Sequence, residues 1–585
     1  MGPLSMLRWI DDLRGNRSMR RRRSSIAAQL GVGAALLALV ATPAASAAVP
    51  GDQKGDTAAA LGKGCSFLFD RCKLSVGLDD AEVIDPVLAP NGERVVIIKK
   101  SSETLLVDLY SAPTGGGFPV KLSVSSEKSA RFVAISPDST RVLYTLPAGT
   151  GQPGDPVRRE LFSVPIAGPS SASVRLAGDI STTARVRVSP DNRKVVYAPP
   201  TGDRLRVVPL AGPVSAGERL TAPFVAGGRV DESRISADSR SVVYRADQDT
   251  DGTSELYRVP LTLSPAPDPP TAKLNGPLVA GGNVDQFTLA PNNGPVVYLA
   301  DQDTDGVREL YRVRLGGEGR AKLNRTLPSG WDVYSPNEAP GEDDLPARVL
   351  PDGSRVVYEI GRVDDGRVFH EFHSVPIAGP GSAGVRLDHP PLLPPGQMFA
   401  LEYTISPDGR RVVYEMVDQS LPGEGHGTRI WLLSVPAAGP ANAGRVLAGP
   451  SEFIYTLSPD SQRVVYLDLG APNRLLSAPI AGGTAVRLNG TEDPGAFLRI
   501  DAASSRVVYE ARAEDGDPEL FSAPLDGNGA RYNLTGGLDD AWDVRGESLT
   551  PSGTRVIYTV RRGGLDAPVE LFSSRLVPRI LPPTE

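Results

Sequence analysis

Histidine and cysteine are nearly missing, with four of the first and two of the second in 585 residues. A metal centre of the Cys/His type needs three or four such ligands close together, and a disulfide-built scaffold needs many more half-cystines. Neither class fits this composition. A cationic excess is missing as well, since 62 Lys and Arg stand against 69 Asp and Glu, a formal net charge of −7. Nucleic acid and anionic membrane surfaces both select a basic face, so neither is an expected partner. After residue 47 no apolar run approaches the roughly 20 residues of a membrane span, so no membrane insertion is expected once the N-terminal segment is removed. There is no Gly-x-Ser-x-Gly elbow, no P-loop and no dinucleotide fingerprint, hence no nucleophile or phosphate cradle of those kinds. Sustained helical periodicity is also missing, and 54 Pro with 62 Gly would interrupt helices throughout.

Residues 1–47 have the order of a secretory signal: the basic cluster Arg20–Arg23, the apolar run Ile26–Ala41, then small residues at Ala45-Ser46-Ala47. Met19, directly before the arginines, is an alternative start to Met1, and Arg22-Arg23 gives a weak twin-arginine match. Seven arginines and two aspartates lie in this segment; without them 55 cationic and 67 acidic residues remain, net −12. The chain is expected to be periplasmic or secreted. Residues 48–72 read as a leader holding both cysteines, Cys65 and Cys72. In an exported chain these are expected to form a disulfide.

What the sequence has in abundance is one repeat. Ser136-Pro-Asp-Ser-Thr-Arg-Val-Leu-Tyr144 recurs as Ser406-Pro-Asp-Gly-Arg-Arg-Val-Val-Tyr414 and Ser458-Pro-Asp-Ser-Gln-Arg-Val-Val-Tyr466. Its proline falls at Pro90, Pro137, Pro190, Pro291, Pro351, Pro407, Pro459 and Pro551, with Ala237 and Ala502 in two degenerate copies. The ten anchors are 43 to 60 residues apart, close to the period of a four-stranded propeller blade. Pro-Asp-Gly and Pro-Asp-Ser are turn chemistry, and Arg-Val-Val-Tyr suits a strand covered on both faces. Glu160-Leu-Phe-Ser-Val-Pro165 and Glu255-Leu-Tyr-Arg-Val-Pro260 read as third strands, and Val174–Leu176, Lys273–Asn275 and Val486–Leu488 as short outer ones. The fold class is therefore all-β, a β-propeller of about ten four-stranded repeats over residues 73–580. The anchor's basic residue (Arg94, Arg141, Lys194, Arg355, Arg411, Arg463, Arg506, Arg555) is expected to pair with the turn Asp before it.

Two features concern closure. Lys73-Leu-Ser-Val76 precedes the first full repeat, while the last repeat ends after Glu570-Leu-Phe-Ser573 with no outer strand. The phrase Gly77-Leu-Asp-Asp-Ala81 returns as Gly537-Leu-Asp-Asp-Ala541, where it follows the outer strand Tyr532-Asn-Leu534. The N-terminal strand is thus expected to complete the final blade and remove the open edge. Ten blades exceed the usual four to eight. The long intervals around Trp331–Leu345 favour a division near 331–345 into two packed rings over one wide ring.

The Ser-Pro-Asp-Gly-x-Arg-Val-Val-Tyr unit, followed by Asp-x-Asp-Gly-x-x-Glu-Leu-Tyr and Val-Pro-Leu, resembles the WD40-like (PD40) repeats of TolB-type propellers. The resemblance covers roughly residues 73–580, but segment 48–72 has no room for the α/β domain that precedes the propeller in TolB. It implies a secreted or periplasmic propeller that binds a protein or other cell-envelope ligand. The contrasting expectation is an extracytoplasmic hydrolase or lyase working on polysaccharide or peptide in the propeller funnel, with no catalytic residue identified.

Candidate site residues are few. Asp247-Gln-Asp-Thr-Asp-Gly252 and Asp301-Gln-Asp-Thr-Asp-Gly306 alternate acids before a glycine, as in the first half of a Ca²⁺ loop. Asp247, Asp249, Asp251, Asp301, Asp303 and Asp305 are the candidate ligands. Position twelve is Arg258 or Arg312, where such a loop needs a bidentate Glu, so a polar hairpin turn is the favoured account. Asp364-Asp-Gly366 and Asp515-Gly-Asp517 are weaker relatives. No other cofactor is implied. His370, His373, His389 and His426 lie in the irregular middle. His370 and His373 would face opposite sides of a strand, and His373 stands where other repeats have Phe162, Tyr257 or Tyr311. It is expected to be a packing substitution.

Overall fold

The computed structural model describes Cys65 and residues 70–578, apart from 79–80, 125–126, 149–157, 182–185, 264–269, 334–346, 365–366, 389–397, 419–428, 452, 471–472, 513–515, 517, 537, 539–540 and 563–566. The signal-like segment lies outside the described residues. Among those residues no helix is long and apolar enough to cross a membrane.

The repeat builds ten antiparallel sheets, the blades of one propeller. Blade 1 runs from Ala81–Val83 to Val120–Lys121, blade 2 from Arg131–Ile135 to Val174–Ser181, and blade 3 from Arg187–Val188 to Glu218–Arg219. Blade 4 spans Val230–Ile235 to Ala272–Lys273, blade 5 Val284–Leu289 to Ala321–Lys322, and blade 6 Asp332–Val333 to Val385–Arg386. Blade 7 spans Met398–Ile405 to Arg445–Ser451, blade 8 Phe453–Leu457 to Val486–Arg487, and blade 9 Asp493–Ile500 to Tyr532–Asn533. Blade 10 consists of Ala541–Leu549, Arg555–Arg562 and Val569–Arg575, completed by Cys72–Lys73 from the N-terminal end.

Strand periodicity explains how the blades stack. On Arg141–Pro147, Val142 and Tyr144 point into a core shared with Val96, Leu109 and Leu122 of blade 1. Leu143 points the other way, into a core shared with Val195 and Val208 of blade 3. The second-strand tyrosines Tyr144, Tyr244, Tyr298, Tyr358, Tyr414, Tyr509 and Tyr558 are fully buried in this way. Each of ten hydrophobic clusters lies between two consecutive blades, and the tenth joins Leu74, Ile557 and Leu571 of blade 10 to Val83, Val95 and Ile97 of blade 1. The sequence spacing favoured two packed rings, but a single ring forms. Blades 5 and 6 share a core through Leu310, Leu323 and Tyr358, and blades 6 and 7 share one through Phe372 and Tyr414. Part of the long interval is absorbed in the ten-residue strands Arg355–Asp364 and Arg367–Pro376.

The anchor turn connects blades as well as strands. Ser136 Oγ accepts the Arg141 N–H at 2.9 Å and donates to Asp138 at 2.6 Å, and Asp138 accepts the Thr140 N–H at 3.0 Å. Ser139 has φ +62°, and its hydroxyl accepts the backbone N–H of Asn91 in the preceding blade at 2.9 Å. The same latch joins Asp138 to Asn192, Asp191 to Ser239, Asp238 to Asn293, Asp408 to Ser461 and Asp460 to Ser504.

The anchor arginine departs from expectation. Its partner is a serine on the third strand, not the turn Asp. Arg141 Nε donates to Ser163 Oγ at 2.6 Å and Nη2 to the Ser163 carbonyl at 3.2 Å. Arg94 with Ser111, Arg355 with Ser374, Arg411 with Ser434, Arg463 with Ser477, Arg506 with Ser522 and Arg555 with Ser573 repeat it. The turn Asp is already committed to Ser and backbone donors, and the guanidinium lies across the hairpin where a planar donor pair fits a serine's hydroxyl and carbonyl.

Closure is secured by strand pairing, hydrogen bonds and ion pairs together. Cys72 pairs with Ser573 and Lys73 with Phe572 in antiparallel register, and Leu74 N–H reaches the Leu571 carbonyl at 2.7 Å. Lys73 Nζ meets Glu570 at 2.6 Å, and Ser75 Oγ accepts the Leu571 N–H at 3.1 Å. Arg555, only 8% exposed, binds Asp70 at 3.0 Å and Arg575 binds it at 3.3 Å. Burial would raise the Asp70 carboxyl, but these guanidiniums outweigh it and hold it below the usual carboxylate range. Cys65 and Cys72 are joined by a disulfide beside this joint.

Two predictions follow from the joints. Deleting residues 64–76 leaves blade 10 with an open edge and should lower the melting temperature sharply, while Leu74→Ala alone should cost about 2–4 kcal/mol in urea unfolding. An unchanged melting profile for the deletion would show that the strand does not close the ring. The second concerns Glu510, whose Oε1 accepts the Gly546 N–H of blade 10 at 2.6 Å. Burial, with Glu547 and Asp543 nearby and Arg545 opposing, pushes this carboxyl up to about 7. In the folded state Glu510 holds its proton above the unfolded carboxyl range, so its contribution to stability falls as pH rises from about 4.5 to 7. Glu510→Gln should nearly match the wild type at pH 4.5 and exceed it by roughly 3 kcal/mol at pH 8.

Candidate functional site

A second network recurs on the outer half of blades 4 and 5 and, in altered form, of blade 6. In blade 5, Lys322 on the fourth strand bridges Glu309 at 2.5 Å and Asp303 at 2.8 Å. Tyr311 OH donates to Glu309, and Asn324 Oδ1 accepts the Leu310 N–H at 2.8 Å. Blade 4 repeats this with Lys273, Glu255, Asp249, Tyr257 and Asn275. The hydrogen bond from Lys322 holds Asp303 below the usual carboxylate range. Burial pulls Lys322 down, but its two carboxylates outweigh that and raise it. Burial and Glu309 raise the Tyr311 phenol.

This network absorbs one acid of each Asp-rich loop, and the other acids go elsewhere. Asp247 accepts the N–H groups of Arg229 at 2.5 Å and Gly252 at 3.1 Å, while Asp251 lies against Gly227. Asp301 accepts from Asn283 at 2.5 Å and Gly306 at 3.0 Å, and Asp305 lies against Gly281. The three acids of each loop therefore face different partners instead of one point. Among the described residues, the only His, Cys, Asp or Glu groups converging as an ion would require are Cys65, Asp70 and Cys72, and those sulfurs are bonded to each other. The related stretches at 364–366 and 515–517 lie largely outside the described residues.

Of the histidines, His373 is described in full. It is completely buried, stacks on Tyr358 at 5.6 Å, and meets Glu371 at 2.8 Å, so it occupies the tyrosine's place in the outer network. Arg386 and Asp388 replace the lysine and asparagine there. His370 pairs with Gly361 in the strand, and His389 and His426 lie outside the described residues.

The departure that opens a site occurs between blades 5 and 6. At the preceding interface, Gln302 of the acidic loop fills the corresponding space, its Oε1 accepting from Gly276 N at 2.9 Å and Tyr298 OH at 3.1 Å. Gly282 borders the same loop, and a Cβ there would come within 2.9 Å of the Asp301 carbonyl. Blade 6 differs at this point among its described residues. Its second and third strands continue as the ten-residue pair Arg355–Asp364 and Arg367–Pro376. The Arg325 N–H then goes to Tyr358 OH at 3.1 Å, and the position of Gly282 is taken by Trp331, half-buried against the shared core. A cleft of about 540 Å³ results, with Asp303, Lys322, Leu327, Ser329, Trp331 and Ser382 among its walls. The Asp303 and Lys322 side chains remain 47% and 36% exposed at its mouth. Sequence reasoning noted Trp331 only as the start of an irregular stretch. Aligning Gly228, Gly282 and Trp331 across the repeats is the signal that could have found it.

No protein-family model and no curated protein matches the chain. Among solved structures, several are similar to parts of the chain. Dipeptidyl peptidase 4 of Porphyromonas gingivalis is 8% identical over 64% of this chain and 56% of that one, with a TM-score of 0.40. A eukaryotic initiation factor is 12% identical over 77% and 96%, with a TM-score of 0.42. A TolB candidate from Agrobacterium tumefaciens is 16% identical over 41% and 79%, with a TM-score of 0.25. The chain thus spans about half the length of the dipeptidyl peptidase, at 56%. Likenesses at these scores carry no argument about function.

The two acidic loops give a direct expectation. Asp301→Ala leaves two backbone N–H groups without their acceptor and should cost about 1–3 kcal/mol in urea unfolding, while Asp305→Ala should stay within about 0.5 kcal/mol of the wild type. Ca²⁺ added to chelator-treated protein should give neither heat nor a melting shift. Saturable heat that disappears in Asp301→Ala would reverse this account.

Proposed function

We propose that this chain is an exported, non-enzymatic binding propeller of TolB-like type, which holds a protein or other cell-envelope ligand at the cleft between blades 5 and 6. The carrying observation is Trp331, an aromatic residue standing where the two preceding repeats have Gly228 and Gly282, beside a cleft whose counterpart at the preceding interface holds Gln302. An aromatic wall with a few polar groups at its mouth is the usual chemistry of a binding pocket. The signal-like N-terminal segment supports export, and the cysteine pair agrees with an oxidising compartment.

The alternative, an enzyme working in the funnel, draws less support. Arginines on the first strands are already engaged: Arg187 by the Ser233 carbonyl of the next blade at 3.2 Å, Arg234 by Glu232 of its own strand at 2.8 Å and by the Phe287 ring of the next blade, and Arg348 by the Tyr403 ring of the next blade at 5.1 Å.

The test is capture from a cell-envelope extract by immobilised full-length protein, wild type against Trp331→Gly. Because Trp331 also packs against the shared core, capture is compared at a temperature at which both proteins are shown to be folded. Retained material should fall at least about tenfold, equivalent to 1.4 kcal/mol. Equal capture by both proteins would refute the cleft as the binding site.

A further inference from the structure

The chemistry of the cleft is specific enough to name a ligand class. We propose, building on the binding role above, that it receives a neutral carbohydrate.

Charge removes the alternatives first. Lys322 is shared between Asp303 and Glu309, so the trio is net −1 and offers no uncompensated cation to an anionic ligand. The signal-free chain is net −12, which also opposes a polyanion. An extended peptide would be expected to add to a sheet edge, yet the edge strand here is only Ala321–Lys322. Arg320 beside it is turned to the Leu274 and Lys273 carbonyls.

A pyranose fits what remains. Its C–H face is an apolar plate that stacks on an aromatic ring, and Trp331 supplies that wall. Its adjacent hydroxyls donate and accept at once. The exposed Asp303–Lys322 pair offers an acceptor beside a donor, while the Thr304, Ser329 and Ser382 hydroxyls around the cleft can play either part. The volume of about 540 Å³ falls within the usual range of small-ligand sites.

The decisive experiment uses the full chain and defined probes: neutral tetrasaccharides of β-linked glucose, α-linked glucose, mannose and N-acetylglucosamine, with polygalacturonate as the anionic control. Binding is read by calorimetry and tryptophan fluorescence for wild type, Trp331→Phe, Trp331→Gly and Asp303→Asn, all checked for equal melting. At least one neutral tetrasaccharide should bind saturably. Trp331→Gly should lose that binding tenfold or more, Trp331→Phe should keep part of it, and Asp303→Asn should weaken it.

A parallel capture from envelope extract separates this inference from the reading beneath it. Periodate should abolish Trp331-dependent capture where the tetrasaccharides point to a hexose with free vicinal diols, and protease treatment should spare it. Capture that depends on Trp331 but is lost to protease and survives periodate would overturn the carbohydrate assignment and leave the binding role standing. Binding of polygalacturonate alone, or of no tetrasaccharide, would also overturn it. Neutral-sugar binding unchanged in Trp331→Gly would overturn the placement in this cleft.

Discussion

Every blade in this protein is a sheet with two apolar faces, and the rest of the structure follows from that constraint. A strand such as Arg-Val-Val-Tyr sends side chains to both sides, so a blade is buried only when a neighbour stands on each face. A linear stack would leave two faces bare. Joining blade 10 to blade 1 through Leu74, Ile557, Leu571, Val83 and Val95 removes both. The N-terminal strand has a second duty, since it supplies the fourth strand that the C-terminal repeat lacks and covers its edge. Closure is therefore where charged groups gather. Asp70, Arg555 and Arg575 form a part-buried set in which each group is matched, as burial of charge requires.

The fold was legible because one local pattern had to satisfy the same two-sided burial ten times. The closing strand was legible for a related reason, because Lys73-Leu-Ser75 repeats the outer-strand chemistry of Lys273-Leu-Asn275 and Lys322-Leu-Asn324. In each the residue two after the lysine accepts the leucine N–H of the third strand. The arginine's partner was misread because proximity in sequence suggested the turn Asp, whereas a hairpin brings the serine about twenty residues away directly alongside. Blade 4 shows that the pairing was still written in the repeats. There the anchor is Ser241 and the third strand carries Arg258, whose Nε donates to Ser241 Oγ at 2.9 Å. The two residues have exchanged strands and kept their bond. The same Arg258 looked, in sequence, like a failed calcium ligand.

Ring number was not legible, and the reason is physical. Spacing between anchors reports the length of connections, while the decision between one ring and two depends on the angle between consecutive blades, set by side chains packed across each interface. Ser and Asn at the left-handed turn position add to that interface by holding the backbone N–H of the preceding blade. Glycine in the same place, as at Gly92, allows a closer approach, since a Cβ there would lie 2.5 Å from Pro551. In sequence these residues differ only as interchangeable turn formers.

The candidate site illustrates a general consequence of repetition. When nearly every polar side chain has a structural partner that recurs from blade to blade, a ligand site is found where recurrence fails and space is left over. Gln302 closes one interface; the longer hairpin of blade 6 leaves the next one open, and Trp331 then stands where a glycine was required before. The acids and lysine of blade 5 keep the geometry they have in blade 4, so the network that stabilises one blade is presented, already ordered, to whatever enters beside the next. Preorganisation of this kind costs the site little, because the side chains were immobilised by folding before any ligand arrived.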